Sequence, residues 1–221
     1  MREYILEKTL DTTHHFKFGG IDVHITDPLP DGISAEAVLK TIEQKIPSMY
    51  YNDLQGVFIG HREDFDERKV NALYKDDKLY ITNQQDDMED ILNDVVHEIA
   101  HHLETKALHE IYGDKLIIRE FTRKREQLKF ELRSEGYWTE EYDFKDLKFT
   151  QAFDDFLYKR IGKRMLHMVT TGIFIRPYAA VSLREYFATG FEAYYLGKRD
   201  ELFQISPELY NKIFELDNIT R

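Results

Sequence analysis

The sequence predicts an α+β fold, with a small mixed sheet early in the chain, one long helix after it, and a mainly helical C-terminal half. Three observations predict it. Apolar residues alternate with polar ones on either side of Gly19-Gly20, the pattern of paired strands. Short apolar runs recur at 56–60 and 79–82, too brief for helices. From Met88 onward the apolar spacing lengthens to three and four residues, which is the helical period. The 221 residues are expected to form a single domain, 1–221, with sheet and long helix in 1–106 and helices in 107–221.

Taken in order, Phe16, Phe18, Ile21, Val23 and Ile25 make the first hairpin, with Gly19-Gly20 as its tight turn. Pro28, Pro30 and Asp31-Gly32 make a loop. Ser34 is placed to cap a helix over Ala35–Lys45 that carries Ala37, Val38, Ile42 and Ile46 on one side and stops before Pro47. Gly56–Gly60 reads as a short buried strand. Leu79–Thr82, after a turn at Lys75-Asp76-Asp77, reads as an edge strand leading through the polar stretch 83–87 into a helix over Met88–Thr105. Helical spacing continues over Leu116–Leu132 and Asp154–Met168. Gly172–Val181, with Pro177, reads as irregular. A helix follows over Leu183–Leu196, and Ser206-Pro207-Glu208 starts the last one, with proline at its first position.

Composition narrows the functional classes. Hydrophobic residues make up 42% and aromatics 14%, values of a globular chain and not a disordered one. The net charge of −11 repels nucleic acid and anionic membranes. Arg123-Lys124-Arg125, Lys159-Arg160 and Lys163-Arg164 are expected on solvated helix faces. With no cysteine, disulfides, thiolate zinc knuckles and thiol catalysis are excluded. Charged residues Arg2, Glu3, Glu7, Lys8 and Asp11 interrupt the first twenty positions, so no secretory signal is expected there. No apolar run has the length of a membrane span. A soluble protein is expected, cytoplasmic in the producing cell unless exported by another route.

The chemistry concentrates in Val-His-Glu-Ile-Ala-His-His-Leu at 96–103. Residues four apart on a helix stand one above the other, so His97 and His101 can offer two imidazoles to one zinc ion. Glu98, one position round, is placed to take a proton from metal-bound water. The flanking rows Ile91, Val95, Ile99, Leu103 and Leu92, Val96, Ala100 describe a helix that is largely buried yet lines a cleft. His102 points about 100° away from His101 and is expected to hydrogen-bond within the fold, not to bind metal. Strand, edge strand and metal helix, in that order, form the upper half of a zincin-like fold. There the edge strand over the cleft pairs with an extended peptide.

Two histidines leave zinc short of a third protein ligand. Glu104, His109, Glu110, His167, Glu185 and Glu192 are the candidates. Glu104 is badly oriented, three residues beyond His101 on the same helix, and His109 needs an immediate chain reversal. Glu185 opens an aromatic-rich helix in which Ala188, Thr189 and Glu192 share its stripe. Ser182-x-x-Glu185 is equally a capping box, so the residues alone leave Glu185 open between metal ligand and cap.

The segment from Arg184 to Leu196, Arg-Glu-Tyr-Phe-Ala-Thr-Gly-Phe-Glu-Ala-Tyr-Tyr-Leu, with 207–214 beyond it, resembles the end of the anthrax lethal factor catalytic domain and the related Pro-Pro endopeptidases. The likeness extends over roughly the second half of the chain and the region around 72–82. It implies that Glu185 is the third zinc ligand and that Tyr178, seven residues before it, points into the site. Thr189 departs from the family, where an acidic residue often stands four past the ligand. His102 departs too, since an apolar or small residue usually follows the second histidine.

The function expected is therefore a zinc metalloendopeptidase, with His97, His101 and Glu185 on the metal, Glu98 as general base and Tyr178 as oxyanion donor. Its partner would be a protein or peptide substrate bound as an extended strand, with no nucleic acid and no membrane. Two alternatives stay open. One is a non-catalytic zincin-fold structural or adaptor protein in a larger assembly, and the other a zinc hydrolase acting on a non-protein amide.

Overall fold

The computed structural model describes residues 14–63, 65 and 70–219; the charged N-terminal positions 2–11 lie outside them. The protein is mixed α+β, with one small five-stranded sheet and 58% helix. Its residues cluster into two compact units that divide between Leu103 and Glu104. Among the described residues, no helix is long and apolar enough to cross a membrane.

The first unit begins with β1 (His14–Phe18) and β2 (Ile21–Ile25), an antiparallel hairpin in which Phe18 faces Ile21. Gly19 and Gly20 take φ of 56° and 91°, the left-handed turn that only glycine adopts without strain. Helix α1 (Ala35–Lys45) carries the chain over to β3 (Gly56–Ile59), which lies parallel to β2. The Ser34 hydroxyl accepts the Ala37 N–H at 3.2 Å, and Ala35, Val38, Leu39 and Ile42 are buried. Both helix and cap are those expected from the sequence.

The edge strand requires a correction. Leu79–Thr82 falls almost wholly in β5 (Lys78–Ile81), which is interior, parallel to β3 on one side and antiparallel to β4 (Ala72–Lys75) on the other. The sheet order is β1-β2-β3-β5-β4, so β4 is the edge. The cause is the turn itself. Asp76 and Asp77 both have positive φ, 53° and 57°, which is a two-residue turn whose twist folds one strand straight back on the next. A turn that tight needs a strand on each side of it. Helix α2 (Met88–Lys106) follows, with Ile91, Val95, Val96, Ile99 and Ala100 fully buried.

In the second unit α3 (Leu108–Tyr112) leads to α4 (Leu116–Ser134), which runs through the core and buries Ile117, Phe121, Leu128 and Leu132. Here a second expectation fails. Arg123 is exposed, but Lys124 and Arg125 are buried. The Lys124 ammonium donates to the Ile173 and Ile205 carbonyls at 2.5 and 2.6 Å, and burial pulls its pKa down to about 8. Arg125 donates to the carbonyls of Ala180, Val181 and Asp143 and stacks 3.9 Å from the Phe153 ring. Buried cations survive where carbonyls and aromatic faces replace water. Lys159, Arg160, Lys163 and Arg164 are exposed, as expected.

The helical run expected over 154–168 is three segments. They are α5 (Gln151–Asp155), a π-helical stretch (Phe156–Gly162) and α6 (Lys163–Thr170). Gly162, at φ 82°, separates the last two. Beyond the 3-10 turn Pro177–Ala180 come α7 (Leu183–Tyr195), α8 (Arg199–Ile205) and α9 (Pro207–Ile219). Glu120 of α4 closes the start of α9, accepting the Glu208 and Leu209 N–H groups while the Tyr186 hydroxyl donates to it. Gly190 is required where α7 meets α9, because a Cβ there would stand 2.2 Å from Leu209.

Candidate metal centre

His97, Glu98 and His101 form one cluster on α2. Their nitrogen and carboxylate donor atoms all lie within 4.8 Å of one another. The imidazole rings, on successive turns of the helix, are 4.6 Å apart and meet edge to face at 89°. His101 and Glu98 are buried, at 5% and 7% exposure, while His97 is half-buried, so the cluster opens to solvent on one side. Two imidazoles one helical turn apart are donors of the kind that a borderline cation such as zinc takes.

Glu98 is held by the sheet. Its Oε2 accepts the main-chain N–H of Tyr74, on edge strand β4, at 2.6 Å. The short distance is that of a charge-assisted bond. The Tyr74 hydroxyl in turn donates to Asp77 Oδ1 at 2.8 Å. His102, one turn further along the same face of α2, adds to this attachment. It is 1% exposed, its Nε2 stands 2.6 Å from Asp53 Oδ1, and its Nδ1 is 3.8 Å from Asp77 Oδ1. The Tyr74 ring sits edge-on to it at 5.3 Å. His102 therefore bonds within the fold, as its helical position suggested, and ties α2 to Asp53, just before β3.

The remaining expected residues belong to the second unit. Glu185 is half-buried in the first turn of α7, and its N–H donates to the Ser182 hydroxyl at 3.2 Å, so the serine half of the capping box is formed. Its side chain lines a cavity of about 340 Å³ together with Glu104, Tyr112, Phe149 and Arg184. Tyr178 lies in the 3-10 turn, 37% exposed, with its ring 6.3 Å from that of Tyr158. Arg125 donates to the carbonyls of Ala180 and Val181, between Tyr178 and Glu185, and so fixes the backbone linking the two.

The rival ligand candidates have other occupations or places. Glu192 is buried in an ion pair with Arg176, and Glu104 accepts the Tyr112 hydroxyl at 2.6 Å. Burial, and with it that carboxylate, pushes the Tyr112 phenol well above its ordinary range. His109, Glu110 and His167 are exposed. Thr189, in place of an acid, is buried and its hydroxyl meets no hydrogen-bond partner among the described residues.

Two neighbours of Glu185 escaped the sequence. Burial, with the charges of Asp155 and Glu185, holds the Asp154 carboxyl above its usual range, and burial with Asp154 and Glu185 pushes Tyr158 up to about 12. The π-helical turn sets Tyr158 beside Tyr178, and nothing in an apparently α-helical pattern signals that turn. No protein-family model matches the sequence, and comparison with curated proteins and with solved structures returns no match either.

Proposed function

We propose that this protein is a zinc-dependent endopeptidase of the zincin type, related to the lethal factor and Pro-Pro endopeptidase group. The observation that carries the proposal is the His97–Glu98–His101 cluster, with its acid bonded to the edge strand of the sheet. His97 and His101 would hold the ion, and Glu185 is the third ligand that the resemblance assigns. Zinc, when bound, acidifies a water molecule and polarises a carbonyl. Glu98 then takes the proton of the attacking water and passes it to the departing amine nitrogen. Tyr178 donates its phenol O–H to the oxygen that becomes negative as the carbonyl is attacked. Edge strand β4 supplies main-chain groups to an extended peptide, which favours a peptide over a small amide as substrate.

The test combines metal analysis with digestion of a peptide library. The wild type should hold about one zinc per chain and cut the library. His101→Ala and Glu185→Gln should lose both properties. Glu98→Gln should keep the metal and lose turnover by about a thousandfold. Metal-free wild type, or equal turnover in Glu98→Gln, would reject the peptidase. Tightly held zinc without any cleavage would instead fit a structural role in a larger assembly.

A further inference from the structure

Antiparallel pairing fixes which main-chain groups of β4 point off the sheet. The Thr82 N–H donates to the Asn71 carbonyl, and Ala72 faces Ile81, Leu73 faces Tyr80, Tyr74 faces Leu79 and Lys75 faces Lys78. Bonded and non-bonded pairs alternate along such a ladder. Leu73 and Lys75 therefore turn their N–H and C=O groups towards β5, and Ala72 and Tyr74 turn theirs outward. A peptide added alongside β4 has just these two outward N–H groups of Ala72–Lys75 to bond. In this structure the Tyr74 N–H is already given to Glu98 Oε2, at 2.6 Å.

We propose that the Tyr74 N–H is a docking donor for a carbonyl of an extended peptide, and that Glu98 occupies it as a place-holder until such a peptide arrives. The partner's chemistry is main-chain, since a carbonyl oxygen has to replace a carboxylate oxygen on the same donor. Peptide pairing and release of the Glu98 carboxylate are then a single exchange. An unoccupied site keeps its acid turned to the strand, and a paired peptide frees that acid for a proton transfer. The inference rests on the peptidase proposal for what the freed acid does, but not for the exchange itself.

The exchange is tested on zinc-loaded Glu98→Gln and Glu98→Ala, neither of which can act as base. The glutamine retains a carbonyl oxygen to accept the Tyr74 N–H, whereas the alanine has none. Random hexapeptides, acetylated and amidated at their ends, are passed over each immobilised protein and the retained fraction is quantified by mass spectrometry. Glu98→Ala should retain peptide about three- to tenfold more strongly, the worth of one main-chain hydrogen bond. Adding Tyr74→Pro, which removes the N–H from an outward edge position, should erase that gain, and adding Tyr74→Ala should not. Glu98→Leu, also without an acceptor but bulkier, replaces the alanine variant if circular dichroism shows that one unfolded. Equal retention by the glutamine and acceptor-free variants overturns the place-holder. Wild-type cleavage of the same library is scored separately. A retention gain without cleavage upholds the exchange and removes the peptidase, and cleavage without a gain does the reverse.

Discussion

Helices α2 and α7 carry the candidate residues by opposite means. In α2 the chemistry is local. Three functional side chains fall within five consecutive positions, and the helical period alone puts them together. In α7 nearly every residue from Tyr186 to Tyr195 is buried, and the helix is defined by what surrounds it. Ser182 caps it, Gly190 lets α9 approach, and Arg125 ties down the backbone before it. A site on α2 is assembled by the helical period and only steadied by distant groups, whereas a site at the start of α7 depends on buried groups far away in sequence for its very placement.

That contrast can be sharpened by separating chemistry from support. Tyr178→Phe should lower turnover about a hundredfold, the effect of one lost oxyanion donor, with zinc content and melting temperature unchanged. A parallel fall in stability would move Tyr178 from the site into the supporting structure. Arg125→Met should destabilise by about 2–4 kcal/mol in denaturant unfolding, because three carbonyls lose their buried donor. An unchanged midpoint would show that this support is dispensable.

The smallest effect is a pH slope. Lys124 has its pKa lowered to about 8 in the folded chain against 10.5 when exposed. Between these values the unfolded state binds the proton and the folded state does not, so this residue makes stability rise as pH climbs from about 8 towards 10. Below pH 8 the folded protein bears the full cost of burying the charge. Lys124→Met should flatten the slope relative to wild type in unfolding measured across that range. Parallel curves would mean that the two carbonyls hold the ammonium charged.

How much could be read in advance follows the same division. The Ser34 cap, the Gly19-Gly20 hairpin, α2 and the clustering of His97, Glu98 and His101 were all legible, because each is decided by residues within a turn or two of one another. β4 escaped because four residues ending in Lys75 carry too little alternation, and the Asp76-Asp77 turn was read with only the strand after it. Lys124 and Arg125 were placed in solvent because charge alone argues for it. Their carbonyl partners at 173, 180, 181 and 205 come from segments the pattern of α4 cannot reveal. Tyr158 was hidden by a π turn that mimics the α period over so short a stretch.

The clamp around His102 has a consequence for ion capture. With Asp53 bonded to His102 and Tyr74 holding Glu98 on the same face of α2, the backbone beneath His97 and His101 has already surrendered much of its freedom. On α2 itself a cation would then have only the two imidazoles to orient, and little of its binding free energy would go into ordering that helix. Such preorganisation would favour tight loading, and retention of an ion would then depend on Asp53 and Tyr74 as well as on the helix itself.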